Sequence, residues 1–189
     1  MRSRIWITAD HHFGHVNIIR HCSRPFRDVT HMDEEMIARW NERVAPDDLV
    51  YHLGDFCYRS SSVPERYLAR LNGKVVLVAG NHDTERVRRV FAESHDILTT
   101  TCRDRLVFMC HYPMRSWRGS NRGSVHCHGH CHGSLTEEGR SMDVGVDTND
   151  FYPYELEAVV ERLSAIPLAR RRDQPNDGGG GRPRDGSTD

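Results

Sequence analysis

Four short apolar runs in this chain each end in side chains that bind metals or move protons, and this pattern constrains the fold more than anything else in the sequence. Ile5 to Ile7 leads to Asp10-His11-His12, and Leu49 to Leu53 leads to Gly54-Asp55. Val75 to Ala79 leads to Gly80-Asn81-His82-Asp83, and Leu106 to Cys110 leads to His111. Runs of this length bounded by Gly and Asp read as buried strands. Helical spacing recurs between the early ones. Met36, Ile37, Trp40 and Val44 follow Thr30 and Asp33, with Glu34 and Glu35 placed for a first turn. Val63, Tyr67, Leu68 and Leu71 repeat the spacing, with Pro64 near the start and Gly73 past the end. Thr84 is positioned to cap a helix carrying Val87, Val90 and Phe91, and Leu156, Val159, Val160 and Leu163 mark a last one. Between these, 96–101, 105–110, 124–128 and 140–146 read as strands without intervening helices. The first half is therefore expected to be α/β and the second mostly β. In such sheets, ligands gather at the carboxyl ends of the strands, where loops converge on a rigid support.

Composition narrows the class. The chain has 189 residues, a formal net charge of −1 and 13 His. Its basic residues are all Arg except Lys74, and 27 acidic residues offset them, so no basic stripe marks a nucleic-acid surface. That many imidazoles call for metal chemistry first. Six Cys without a secretory leader read as free thiols or ligands rather than disulfides. No apolar run approaches the roughly 20 residues needed to span a bilayer, and Asp10 interrupts the N-terminus before a leader could form, so a cytoplasmic location is expected. One domain over 1–166 is expected, followed by a disordered Arg/Gly/Pro-rich tail over 167–189 that includes Arg170-Arg171-Arg172 and four consecutive Gly.

Asp10, His12, Asp55, Asn81, His111, His130 and His132 form a mixed oxygen and nitrogen set that suits Mn, Fe, Co, Ni or Zn better than Ca. Seven ligands exceed what one ion takes, so two ions are expected. On extended backbone, the α-carbons of His130 and His132 would lie about 6.6 Å apart, letting each imidazole serve a different ion of a pair. Asp55 is then the bridging carboxylate. A competing arrangement, a zinc knuckle in His126-Cys127-His128-Gly129-His130-Cys131-His132, is disfavoured because alternation puts Cys and His on opposite faces of a strand. His11 is left as a packing or supporting residue.

Asp10-x-His12, Gly54-Asp55, Gly80-Asn81-His82-Asp83, His111 and Gly129-His130-x-His132 resemble, in order, the five motif blocks of the calcineurin-like metallophosphoesterase superfamily, over residues 8 to 132. The resemblance implies a four-layer α-β-β-α sandwich with two mixed β-sheets. It assigns Asp10, His12 and His132 to one ion, Asn81, His111 and His130 to the other, and Asp55 to both. It makes His82 the general acid, with Asp83 orienting its ring. Two divalent ions, manganese first, would activate a water for in-line attack on a phosphate ester. His15 and the loop residues Arg115, Arg118 and Arg122 are expected phosphate contacts, with Arg24 a weaker one. The expected substrate is a phosphodiester, with nucleotide-derived or cyclic nucleotides and nucleic-acid ends included. A monoesterase, a nuclease, or a scaffold lacking activity are the alternatives. No membrane association and no obligate protein partner are expected.

Overall fold

A computed structural model describes residues 3–58 and 63–168. In chain order the elements are β1 (Ile5–Thr8), α1 (Ile18–His21), α2 (Val29–Arg43), β2 (Leu49–His52), α3 (Pro64–Leu68), β3 (Lys74–Val78), α4 (Glu85–Arg88), β4 (Glu93–His95), β5 (Ile97–Cys102), β6 (Arg105–Cys110), β7 (Val125–His128), β8 (Ser141–Asp143), β9 (Tyr154–Glu155) and α5 (Leu156–Ser164). The tail expected over 167–189 lies outside the described residues from 169 onward.

The fold is α/β with two mixed sheets. The first runs β4-β3-β2-β1-β9 and the second β5-β6-β7-β8. β1 to β4 pair in parallel, with Ile5 opposite Leu49 and Leu49 opposite Lys74, while β9 closes the edge antiparallel to β1. In the second sheet, β5 and β6 form an antiparallel pair, and β7 and β8 follow in parallel.

Side-chain alternation divides the core in two. On one face of the first sheet, Trp6, Val50 and Leu77 pack under Met32, Met36 and Trp40 of α2 and beside Val87 and Phe91. On its other face, Ile7, Tyr51 and Val76 meet Val107, Met109, Val125 and Cys127 of the second sheet, with Leu156, Val159, Val160 and Leu163 of α5 in the same cluster. Cys127 is therefore an apolar core residue, and among the described residues no metal-type grouping includes it or Cys131. The opposite side of the second sheet carries Phe108 and His126 and is covered by the loop after β6, where Trp117 lies 5.2 Å from the His126 ring.

Four elements depart from the sequence reading. α2 begins at Val29, ahead of the expected start, because the Asp28 side chain accepts the His31 amide and caps it there. β4, Glu93-Ser94-His95, has no apolar run because it is an edge strand. β9 has only two residues, and α1 only four. Among the described residues, no helix is long and apolar enough to cross a membrane.

Candidate metal centre

The carboxyl ends of β1, β2, β3 and β6 and the turn after β7 converge at one place. Beyond the strands, the first two loops stay paired: the Asp10 amide donates to the Gly54 carbonyl and the His12 amide to the Asp55 carbonyl, both at 3.0 Å. The Asp55 loop and the Gly80 loop come so close that a Cβ on Gly80 would fall 2.4 Å from Asp55 Oδ1. Only glycine permits that approach.

Five of the seven expected ligands hold left-handed backbone: Asp10 at φ 62°, His12 at 52°, Asp55 at 56°, His130 at 72° and His132 at 48°. Non-glycine residues in that region cost on the order of 1–3 kcal/mol each and persist where the surroundings impose them. His130 and His132 thus lie on a turn, not on the extended backbone the sequence implied, and the turn rather than strand spacing separates their rings.

The side chains form two groupings whose ligand atoms lie within 4.8 Å of one another, Asp10/His12/His132 and Asp55/His111/His130. Between them, Asp55 Oδ2 stands 3.5 Å from His12 Nε2 and 3.5 Å from His111 Nε2. Asn81 Oδ1 is 3.1 Å from His111 Nε2.

Two rings are oriented from behind. His111 Nδ1 lies 2.7 Å from the Leu53 carbonyl and His132 Nδ1 lies 2.7 Å from Asp147 Oδ2, so in each ring Nδ1 donates and Nε2 is left facing the site. Asp10 Oδ2 accepts the His130 amide at 2.8 Å. Its Oδ1, and both nitrogens of His12, are buried without a hydrogen-bond partner. Orphaned oxygen and nitrogen atoms in this mixture fit divalent transition ions.

Burial is the largest influence on the charge of these groups. Burial raises the Asp10 carboxyl well above its usual range, and burial together with the neighbouring His132 drives the His12 imidazole far below its own. Burial also works against a charged His132, but its hydrogen bonds to Asp147 and Cys22 and the charge of Asp10 outweigh it and push that ring up to about 10.

A cavity of about 380 Å³ opens over these groups. His12, Asp55, Asn81, His82, His130 and His132 line one side, and His15, Asn17, Ile18, His21 and Tyr58 the other. His15 stacks on Tyr58, with ring centroids 4.0 Å apart and 8° between planes, and its Nδ1 is buried without a partner. The His82 amide donates to Asp55 Oδ1 at 2.8 Å, and its Nε2 lies 3.9 Å from Asp55 Oδ2. It also forms a grouping with His12 and Asp55. His11, by contrast, turns into the core, 2.9 Å from His52 Nε2 and packed near Phe13 and Trp40.

Asp83 does not orient the His82 ring. Its carboxylate accepts the backbone amides of Asp55, Phe56 and Gly80, and so holds the Asp55 loop. Burial pushes this carboxyl up to about 6, although the three amides favour its charged form.

Arg115, Arg118 and Arg122 do not line the metal cavity. After His111 the chain runs over the outer face of the second sheet, where the Met114 amide donates to His126 Nε2 at 3.2 Å and Arg115 borders a separate cleft. Arg24 is likewise turned inward, bound to Asp147 and to backbone carbonyls. Sequence reasoning missed Asp147 and Tyr58. Asp147 sits in a short 3-10 turn (Val146–Thr148) outside every motif, so no local signal marks it. Tyr58 follows Asp55 by three residues, and only its place in the cavity wall reveals it.

Residues 3–159 match the model of the calcineurin-like phosphoesterase family. An uncharacterized protein of Methanocaldococcus jannaschii is 30% identical over 178 residues, covering 88% of this chain and 95% of its own length. The gene 66 protein of Mycobacterium phage D29 is 26% identical over 188 residues, covering 81% and 93%. Among solved structures, a protein of unknown function from Aquifex aeolicus superposes with a TM-score of 0.68 at 24% identity, over 86% of this chain and 100% of that one.

Proposed function

The chain belongs to the calcineurin-like phosphoesterase family, and we propose that it is a dinuclear-metal phosphodiesterase whose ions are held by Asp10, His12, Asp55, Asn81, His111, His130 and His132. The observation that carries this reading is the position of Asp55 Oδ2, 3.5 Å from both His12 Nε2 and His111 Nε2. One carboxylate oxygen at equal distance from one imidazole of each grouping suits a bridge between two ions. Bound there, two divalent ions would supply Lewis acidity, neutralising phosphate oxygens and lowering the pKa of a water.

The chain's own residues do the rest. Asp10, His12 and His132 define one position, and Asn81, His111 and His130 the other. His82 is half-exposed at the cavity wall, where it can donate a proton to a departing alkoxide. That assistance matters most for poor leaving groups, which favours diesters over monoesters. His15 contacts the phosphate through the nitrogen that has no hydrogen-bond partner among the described residues. The cavity volume suits a small phosphate ester of nucleotide size. Manganese is the first ion to test, with iron, cobalt, nickel or zinc as alternatives.

A scaffold without activity is disfavoured because every ligand position carries a ligating side chain. The deciding experiment screens the Mn-loaded protein against phosphomonoesters, linear diesters, 2',3'-cyclic nucleotides and short DNA, with Asp55→Ala as control. Hydrolysis of diesters ahead of monoesters, lost in the variant, is expected. A preference for monoesters would overturn the diester assignment, DNA cleavage alone would make the protein a nuclease, and no turnover on any substrate would reject the enzyme reading.

A further inference from the structure

We propose that Arg24, acting with Asp147, is a positioning residue for the first of the two ion positions, setting the His132 ring and the Asp10–His12 turn at the same time. The inference rests on the dinuclear reading above and adds to it a device outside the seven ligands.

Arg24 is only 4% exposed, and all five of its N–H donors are committed. Nε donates to Asp147 Oδ1 at 2.8 Å and Nη2 to Asp147 Oδ2 at 2.8 Å. The second hydrogen of Nη2 goes to the Asp10 carbonyl at 2.7 Å. Nη1 donates to the His11 carbonyl at 3.0 Å and to Met32 Sδ at 3.5 Å. No donor remains for a phosphate. Everything this guanidinium does is internal.

Its partners explain what that is. The Asp147 oxygen that accepts from Nη2 is also the one that accepts His132 Nδ1 at 2.7 Å, which fixes the tautomer in which Nε2 can ligate. The carbonyls of Asp10 and His11 belong to the turn that presents Asp10 and His12 in left-handed backbone. Three ligands of one grouping, Asp10, His12 and His132, therefore hang on a single planar fork. The other grouping has anchors of its own: the His111 ring donates to the Leu53 carbonyl, Asp55 Oδ1 accepts the His82 amide, and the Asp55 amide donates to the Asp83 carboxylate. Although the His12 amide to Asp55 carbonyl bond and the His130 amide to Asp10 carboxylate bond link the two groupings, a loss at Arg24 should fall mainly on the ion of Asp10, His12 and His132. Lysine cannot substitute, because an ammonium offers a point charge where the site uses a five-donor fork.

The test is calorimetric titration of Mn²⁺ into metal-free wild-type protein, Arg24→Lys, Asp147→Asn and the double variant, with near-UV circular dichroism checking that each is folded. Wild type is expected to bind two ions. Each single variant should lose about 10–100-fold in affinity for one ion while the other stays near its wild-type value, and the double variant should lose no more than the worse single one, since the two residues act in series. If Arg24→Lys does not fold, Asp147→Asn decides alone. Unchanged affinities, or equal losses for both ions, would overturn the inference and leave the dinuclear reading standing. A wild-type protein that takes up no Mn²⁺ would reject that reading, and this inference with it.

Discussion

The carboxylate of Asp83 accepts the backbone amide of Asp55 at 2.7 Å, so the loop that carries the expected bridging ligand is anchored by a neighbouring loop. The same carboxylate takes the amides of Phe56 and Gly80. Removing it strands three N–H donors in a buried place. Asp83→Ala is therefore expected to destabilise the metal-free protein by on the order of 3 kcal/mol. Urea unfolding in the presence of a chelator measures this, and an unchanged midpoint would show that Asp83 is not the anchor.

Asp55→Ala is expected to reduce turnover on the order of 10³-fold or more and to lower the bound metal below that of wild type, because one side chain serves both groupings. Arg118→Ala, in the loop over the second sheet, should stay near wild type in both respects. Metal content by plasma spectrometry and turnover on one diester give the comparison. Similar losses in the two variants would remove the special role of Asp55.

His82 is assigned proton transfer, and its loss should depend on the leaving group. Against an alkyl ester, His82→Ala is expected to lose about 10²–10⁴-fold. With a nitrophenyl ester, whose leaving group departs with little protonation, the loss should be much smaller at the same metal occupancy. Because His82 also stands 3.9 Å from Asp55 Oδ2, the metal content of the variant must be measured alongside. Equal losses on both esters together with a fall in bound metal would make it a ligand instead.

His126, away from the metal centre, predicts a pH dependence of stability. Burial lowers its imidazole to about 4. In the neutral ring, Nδ1 donates to the Phe108 carbonyl and Nε2 accepts the Met114 amide, and burial outweighs the backbone hydrogen bonds that favour the charged form. The folded pKa lies below the unfolded value, so its contribution is full above about 6.5 and falls as pH drops toward 4. Between pH 7 and pH 5 this amounts to about 2 kcal/mol. Urea unfolding of the metal-free protein at several pH values should show His126→Gln losing less stability than wild type across that interval. Parallel curves would remove His126 as the source.

The parts of this molecule that were legible in sequence are those encoded by neighbours along the chain. Val75 to Ala79 followed by Gly80-Asn81-His82-Asp83 announces both a buried strand and the donors at its end. Alternation alone placed Cys127 in the core and the His126 and His128 rings on the other face. Contacts closed across the fold left no such trace. Arg24 and Asp147 are 123 residues apart, and nothing near either one predicts their pairing. The arginines after His111 misled for a related reason: adjacency to a ligand says nothing about the direction the chain takes next, and here the Met114–His126 bond draws it over the second sheet. Asp83 turns from its chain neighbour His82 to three backbone amides, those of Asp55, Phe56 and Gly80, which folding brings to it.

The left-handed residues Asp10, His12, Asp55, His130 and His132 also bear on how the chain reaches its structure. Each prefers locally a conformation that the finished protein denies it, so this rim is a zone of conflict between local and global preference inside an otherwise consistent design. What holds them there is the pairing of the loops beyond the strands, such as the Asp10 amide on the Gly54 carbonyl and the His12 amide on the Asp55 carbonyl. Ions that bind only this completed arrangement would stabilise it by mass action, so the unfolding temperature would keep rising with free ion concentration even after the sites are filled.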